Sequence, residues 1–371
     1  MEMIKQGFNF KDYTLYWEAK GTFSLILIDI VRTLTRELDF MSFVIGGKEI
    51  KHFIGNNVLE SVNNRVIALC SDDRKFESYK KEYEGAEKKL LESYDKLDKN
   101  KKGKKSLLEF LDTVSKFVEY YLIIDFDFSL EQEEELKKNQ GLYNNYKTIG
   151  QIKNIKRELL NKYLLYDTSN FHRIMREIGK EFELGEEILF YKKDELIQLY
   201  SGIKVRDSEI RERKKYYLII SRKGKVFYLF GDEALKIYNE ATSEKQLLEV
   251  NLKGQTAYNP KKKVTGIVKL FEMDYDNIMR DVKRLQGEIE STNEKLILVT
   301  KATTPEMTHI LKKFSGIIAD YGAMNAHAAI ISREFKIPCI VGTKIASKIL
   351  KEGDKIEMDL DNGTIRVIEK H

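Results

Sequence analysis

The stretch Asp320–Thr343, DYGAMNAHAAIISREFKIPCIVGT, holds His327, one of only five histidines in 371 residues. A short apolar run, GIIAD, precedes it, and a turn, YGAMN, follows, in which Gly322 can adopt positive φ. Asn325 is a residue type suited to an N-cap, and AHAAIISREF has helical character. This places His327 in the first turn of a helix, directly after a strand and loop. Unpaired backbone N–H groups and the positive end of the helix dipole meet there, which favours an anion beside the imidazole. A histidine that is neutral near pH 7 is a nucleophile, and those amides would cradle a phosphoryl group carried on it. The small residues Ala323, Ala326, Ala328 and Ala329 leave the ring room to reach another active site. On residue type and position alone, an ordinary structural imidazole is the commoner reading of a histidine at a helix start.

The residues around His327 also carry a resemblance. GAMNAHAAIISRE followed by KIPCIVGT resembles the phosphohistidine signature of the phosphoenolpyruvate-utilising enzymes, a group that includes phosphoenolpyruvate synthase, rifampin phosphotransferase and phenylphosphate synthase. Gly322, Ala323, Asn325, His327, Ala328, Ala329, Arg333, Glu334, Ile337, Pro338, Val341, Gly342 and Thr343 fall on its positions. Upstream, LILVTKATTPEMTHILKKFSGIIAD is similar to the strand, Thr-Thr-Pro turn and helix of that group, and ILKEGDKIEMDLDNGTIRVI is similar to its closing hairpin.

The resemblance implies a swivelling domain over 246–371 whose His327 is transiently phosphorylated. Gly322, Ala323, Asn325, Ala326 and Ala328 would support the phosphate loop, with Thr303, Thr304, Arg333, Gly342 and Thr343 as further support. Asn325 stands where the group has threonine or serine, and GQTAYNPKKKVTGIV lacks the Ser-Pro-Gly step between Gly254 and Gly266. Arg333, six residues beyond His327, projects from a different face of an ideal helix and reads as a structural or docking residue.

A carrier needs a source and a sink for its group. The chain has no Walker-type glycine-rich stretch, no glycine-rich ATP-grasp region, and no run of strand–helix repeats long enough for a barrel. The resemblance therefore implies a separate ATP-grasp protein that binds ATP and Mg2+, with no cofactor or metal held tightly here. The rival expectation is a non-catalytic binding or regulatory protein derived from the same group.

The elements that must position this loop follow from composition and pattern. The 42% hydrophobic and 33% charged fractions are those of a globular protein, and a net charge of +5 points to no polyanion partner. The basic cluster KNKKGKK (99–105) lacks interleaved aromatics and reads as a solvated loop, so no nucleic acid is expected. The most apolar stretch, GTFSLILIDIVRTL (21–34), is interrupted by Asp29 and Arg32, so no membrane span is expected. No signal-peptide pattern opens the chain, and Cys70 and Cys339 suggest no disulfide; the cytoplasm is the expected compartment.

All three prolines lie beyond residue 259, and 76–99, 106–126, 149–165 and 169–182 show helical periodicity. An α+β multidomain fold is expected. It comprises a mainly α-helical domain over 1–245, ending in a β-hairpin (KYYLIIS, RKGK, VFYLF), and a small α/β domain over 246–371. FELGEEILFYKKDELIQLYSG resembles the region that precedes the swivelling domain in rifampin phosphotransferase-like proteins, where a helical domain holds the acceptor. Tyr13, Trp17, Phe23 and Tyr94 would suit a pocket for an apolar or aromatic small-molecule acceptor. Asp125 and Asp127 in DFDF, His309, His52, His172 and His371 read as non-ligands.

Overall fold

The computed structural model describes residues 13–55, 58–99, 103–125, 128, 130–242 and 252–371. Asp127, part of the basic cluster at 99–105 and the expected boundary near 245 lie outside the described residues. The chain is mixed α+β and forms two compact units, one from Met1–Ile124 with Leu159–Gln246, the other from Asp125–Glu158 with Leu247–His371.

The first unit begins with β1 (Tyr13–Lys20), α1 (Leu25–Leu34), β2 (Phe40–Ile45) and β3 (Glu49–Gly55). The long helices α2 (Val58–Cys70), α3 (Asp73–Lys99) and α4 (Lys104–Ile124) follow. After α5 (Leu130–Lys137) and α6 (Gln140–Leu160) come α7 (Asn170–Glu181), α8 (Lys193–Leu199), α9 (Asp207–Lys215), β4 (Tyr216–Arg222), β5 (Lys225–Phe230) and α10 (Gly231–Thr242).

The hairpin β4–β5 is as expected, turning through Lys223 and Gly224, both at positive φ. It does not stand alone. It completes an antiparallel sheet of order β1-β3-β2-β4-β5, and this corrects the reading of 1–245 as helical up to one hairpin. The physical reason is burial on both faces. Met41, Phe43, Phe53, Leu218 and Ile220 pack with Ala234 and Ile237 of α10, while α1 also lies against β4 and β5. Strands covered on both sides lose the period-2 alternation that marks a strand in sequence.

The aromatic helices use their rings as core. Tyr83 packs on Phe117 at 5.5 Å and Tyr94 on Phe110 at 5.2 Å, joining α3 to α4. Helix α4 begins at Lys104, and Ser169 caps α7, accepting from the His172 N–H.

The second unit holds β6 (Gln255–Tyr258), β7 (Lys263–Phe271), α11 (Ile278–Glu290), β8 (Leu296–Thr300), α12 (Thr308–Leu311), β9 (Gly316–Ala319), α13 (His327–Phe335), β10 (Cys339–Val341), α14 (Ala346–Ile349), β11 (Lys355–Asp359) and β12 (Thr364–Glu369). Its sheet has the order β12-β11-β7-β8-β9-β10-β6, in which β7, β8, β9 and β10 run parallel. Ile297, Val299, Ile318, Ile340, Ile356 and Met358 form its core. Gly254 and Gly266 are required by close backbone approach: a Cβ at either would lie 2.4 Å from the carbonyl oxygen of Val341 or Lys295.

The segment 125–158 groups with this unit rather than with the N-terminal helices, a correction to the division at 245/246. Glu133 of α5 pairs with Arg333 of α13, and Arg157 of α6 donates to the Tyr275 hydroxyl at 3.0 Å. Helical periodicity reveals an apolar stripe but not which core receives it.

Candidate active site

Parallel strands end together, so the loops after β8, β9 and β10 converge at one edge of the second sheet. The β8 loop supplies Thr303, the β9 loop leads to His327, and the β10 loop supplies Gly342 and Thr343. Asp320, at the end of β9 and 1% exposed, ties two of these loops together. Its Oδ1 accepts from the Thr343 hydroxyl at 2.7 Å, and both carboxylate oxygens accept from the Ser347 N–H at 3.2 Å.

His327 is the first residue of α13. Its Nδ1 lies 2.8 Å from the Thr303 hydroxyl and its Nε2 3.2 Å from that of Thr308. Thr303 is buried and Thr308 only half-buried, so Nε2 faces the more open side. The residue is half-buried by accessible surface, yet the protein around the ring disfavours its charged form, and burial lowers its pKa to about 4. The imidazole is therefore neutral at pH 7, with one ring nitrogen protonated and the other an acceptor.

The turn before it has its own determinants. Gly322 sits at φ +111°, and a Cβ there would lie 2.6 Å from the Ala326 Cβ. Ala323 accepts from the Ala326 N–H at 3.0 Å. The N-cap is Ala326, not Asn325, and it offers no side-chain acceptor. Asn325 is instead buried, its Oδ1 accepting from the Phe128 N–H at 3.1 Å, while the Phe128 carbonyl accepts from Met324 at 3.2 Å. This corrects the expected capping role: the amide is spent holding the loop against the segment before α5. With no side chain capping the helix, the N–H groups of His327, Ala328 and Ala329 face the site as donors.

Arg333 does not approach the ring. Its Nη1 meets both Glu133 oxygens at 2.9 and 3.1 Å, and its Nη2 donates to the Met324 carbonyl, so it braces the loop from behind. Thr304 precedes the single turn Pro305–Met307, and its buried hydroxyl finds no partner among the described residues. Gly342 sits at φ +73°, where a Cβ would come 3.3 Å from the Gly322 carbonyl. Three contributors escaped the sequence reading: Thr308, Asp320 and Glu133. Thr308 had a signal, a further threonine five residues after Thr303; Glu133, two hundred residues from Arg333, had none.

The other candidates lie elsewhere. His309 is exposed, Asp125 pairs with Lys153 at 3.3 Å, and His172 is buried between the Ser24 and Ser169 hydroxyls. Of the four aromatics expected in a pocket, Trp17 meets Phe23 edge to face at 6.3 Å, while Tyr94 belongs to the α3–α4 core. Among the described residues, no three His, Cys, Asp or Glu side chains stand close enough to hold a metal, and no helix is long and apolar enough to cross a membrane.

Residues 292–363 match the family model described as PEP-utilising enzyme, mobile domain, and the match encloses the site. A probable phosphoenolpyruvate synthase of Archaeoglobus fulgidus is 45% identical over 80 residues, covering 22% of this chain and 11% of that protein. The phosphoenolpyruvate synthase of Pyrococcus furiosus is 34% identical over 146 residues, covering 38% and 16%. An uncharacterized phosphotransferase, YvkC, of Bacillus subtilis is 42% identical over 74 residues, covering 20% and 9%. The chain thus spans between 9% and 16% of the length of these relatives. One solved structure, the NMR solution structure of an Enzyme I (nEIt) protein, aligns over 81% of this chain at 13% identity, but its TM-score of 0.22 is too low to bear on the fold.

Proposed function

We propose that the chain is a phosphotransferase component that carries a phosphoryl group on His327. The observation that carries this reading is the neutral imidazole at the uncapped start of α13, hydrogen-bonded at both nitrogens by threonine hydroxyls. The match of residues 292–363 to a phosphoenolpyruvate-utilising mobile domain supports it.

The step follows from the geometry. Nδ1–H donates to Thr303, which fixes the tautomer and leaves the lone pair on Nε2. That pair attacks the terminal phosphorus of a nucleotide or phosphoenolpyruvate as the bond to the leaving oxygen breaks. The positive charge that appears on the ring is shared across it, with Nδ1–H still held by Thr303. The Thr308 hydroxyl, displaced from Nε2, can donate to a phosphoryl oxygen, and so can the free N–H groups of the first turn. Because Nε2 needs no proton removed, no general base is required.

The donor site lies on a separate ATP-grasp chain that brings ATP and Mg2+, in a cytoplasmic setting, and the acceptor is a small molecule held by the first unit. Phosphoryl transfer rests on positioning and on cations that this loop does not supply, hence the need for a partner. The test is incubation with γ- and β-labelled ATP and with labelled phosphoenolpyruvate, each with and without an ATP-grasp protein encoded beside this chain. Acid-labile label on the native chain and none on His327→Ala supports the carrier. Absence of label under every combination sinks it and favours a binding or regulatory protein.

A further inference from the structure

Two arginines of the first unit are buried and stacked on a phenylalanine at the same separation, which makes them a controlled pair. The Arg213 guanidinium lies 4.5 Å from the ring centre of Phe230, and that of Arg32 lies 4.5 Å from Phe40. Arg213 is paired as a cation through both terminal nitrogens, although its Nε is buried without a hydrogen-bond partner among the described residues. It meets both Glu195 oxygens at 2.6 and 2.7 Å, the Phe190 carbonyl at 2.8 Å, and Glu209 one turn earlier on α9. Its carboxylates outweigh burial and hold its pKa above the ordinary value.

Arg32 has no such set. The residue is 5% exposed, and its Nε and Nη1 are buried without a hydrogen-bond partner among the described residues. The nearest carboxylate along α1, Asp29, is committed elsewhere, to the Tyr228 hydroxyl and to the Lys193 N–H at 2.8 Å. The adjacent charged residues Arg36 and Glu37 lie in the exposed stretch after α1 and face each other. The carbonyl of Val31, which a last-turn arginine could use, takes the N–H and the hydroxyl of Thr35 instead. What remains to offset burial is the helix C-terminal dipole and the Phe40 face. Each contributes less than the cost of a dry, unpaired cation. Burial accordingly lowers the pKa of Arg32 to about 9, with no opposing charge.

We infer that Arg32 is the receptor of a small-oxyanion site in the first unit, one that takes a carboxylate or a phosphoryl group. A guanidinium stacked by its face on Phe40 keeps its N–H edge in plane for a two-oxygen ligand, and both anion classes present that geometry. The inference stands on the first unit alone and is independent of the chemistry at His327. It changes the character of the ligand expected there, from purely apolar or aromatic to one bearing an anionic group beside the Phe40 ring.

Thermal unfolding of the full chain tests this, in sodium phosphate or sodium acetate with ionic strength held by sodium chloride. The native chain should gain several degrees in Tm as either anion saturates. Response to phosphate alone identifies a phosphoryl site; response to acetate alone, or to both, identifies a carboxylate-compatible one. Arg32→Met should lose the response, with at least about tenfold weaker apparent binding. If neither anion shifts the native Tm, or if Arg32→Met responds as strongly as the native chain, the site does not exist. Should Arg32→Met fail to fold, the native chain labelled with nitrogen-15 arginine decides by NMR. A saturable shift of the Arg32 Nε–H resonance on adding phosphate or acetate supports the site, and a linear or absent shift overturns it.

Discussion

The loop around His327 and the last turn of α1 treat charge in opposite ways. Behind His327 every ionisable brace is matched: Asp320 by Thr343 and Ser347, Arg333 by Glu133 and the Met324 carbonyl. The His327 ring itself is neutral at pH 7 and is held by two threonine hydroxyls. At Arg32 the guanidinium is buried and two of its nitrogens have no partner among the described residues. Arg333 and Arg32 each stand in the last turn of a helix, yet one is architecture and the other is available. The difference teaches that burial alone does not mark a functional cation. What marks it is burial without the partners that would otherwise offset its desolvation.

This contrast can be broken at several points. The largest effect belongs to the matched side. Arg333→Ala leaves Glu133, 1% exposed, without its bidentate partner, and should cost about 3 kcal/mol in chemical denaturation. A loss below about 1 kcal/mol would show that the brace is incidental.

Acid should sharpen the neutral side by a comparable amount. His327 takes up a proton near pH 6.5 when unfolded but only near pH 4 when folded, so the unfolded chain binds more protons between those values. Stability from this residue is complete above pH 6.5 and falls as pH drops towards 4, by up to about 3 kcal/mol. His327→Gln should lack that slope when urea midpoints are compared across the window. The same shift predicts a labelling rate for the native chain that stays level from pH 8 down to about pH 5, as far as the imidazole controls it. A fall centred on pH 6.5 would contradict the buried environment.

Smaller effects distinguish the two threonines. Thr303→Val removes the acceptor that fixes the tautomer and should slow labelling of His327 about tenfold, the equivalent of one ordinary hydrogen bond. Thr308→Val should slow it by less than about threefold, since its bond to Nε2 must break for the reaction in any case. Equal losses would mean that the assignment of Nε2 as nucleophile is wrong. The smallest effect is expected at Arg32. In buffer free of phosphate and carboxylates, Arg32→Met should be neutral or stabilising by about 1 kcal/mol, because it removes an uncompensated charge. Arg213→Met should instead be strongly destabilising, because Glu195 and Glu209 lose their cation.

Much of the second unit was legible because its signals are local. A glycine at positive φ, a helix start, short apolar strands and the spacing of Thr303, His327 and Thr343 are all carried by residues close in sequence. The N-terminal sheet was not legible, since strands such as FMSFVI are covered on both faces and show a continuous apolar run. Nor was the true role of Asn325, whose amide could equally have capped a helix. Only the approach of Phe128, from 197 positions away, decided which bond it makes.

The sequence by itself determined the local setting of His327: a histidine at a helix start, after a strand, in a loop of small residues. Tertiary structure alone decided that the ring is neutral, that Thr308 joins Thr303 at its nitrogens, and that Phe128 and Glu133 brace the loop. It also decided that Arg32, read in sequence as an interruption of an apolar stretch, is buried with two nitrogens unpartnered among the described residues. Local signals encode backbone conformation, because that depends on neighbours along the chain. Charge state and hydrogen-bond satisfaction depend on what burial brings near, and that is settled only when distant segments pack.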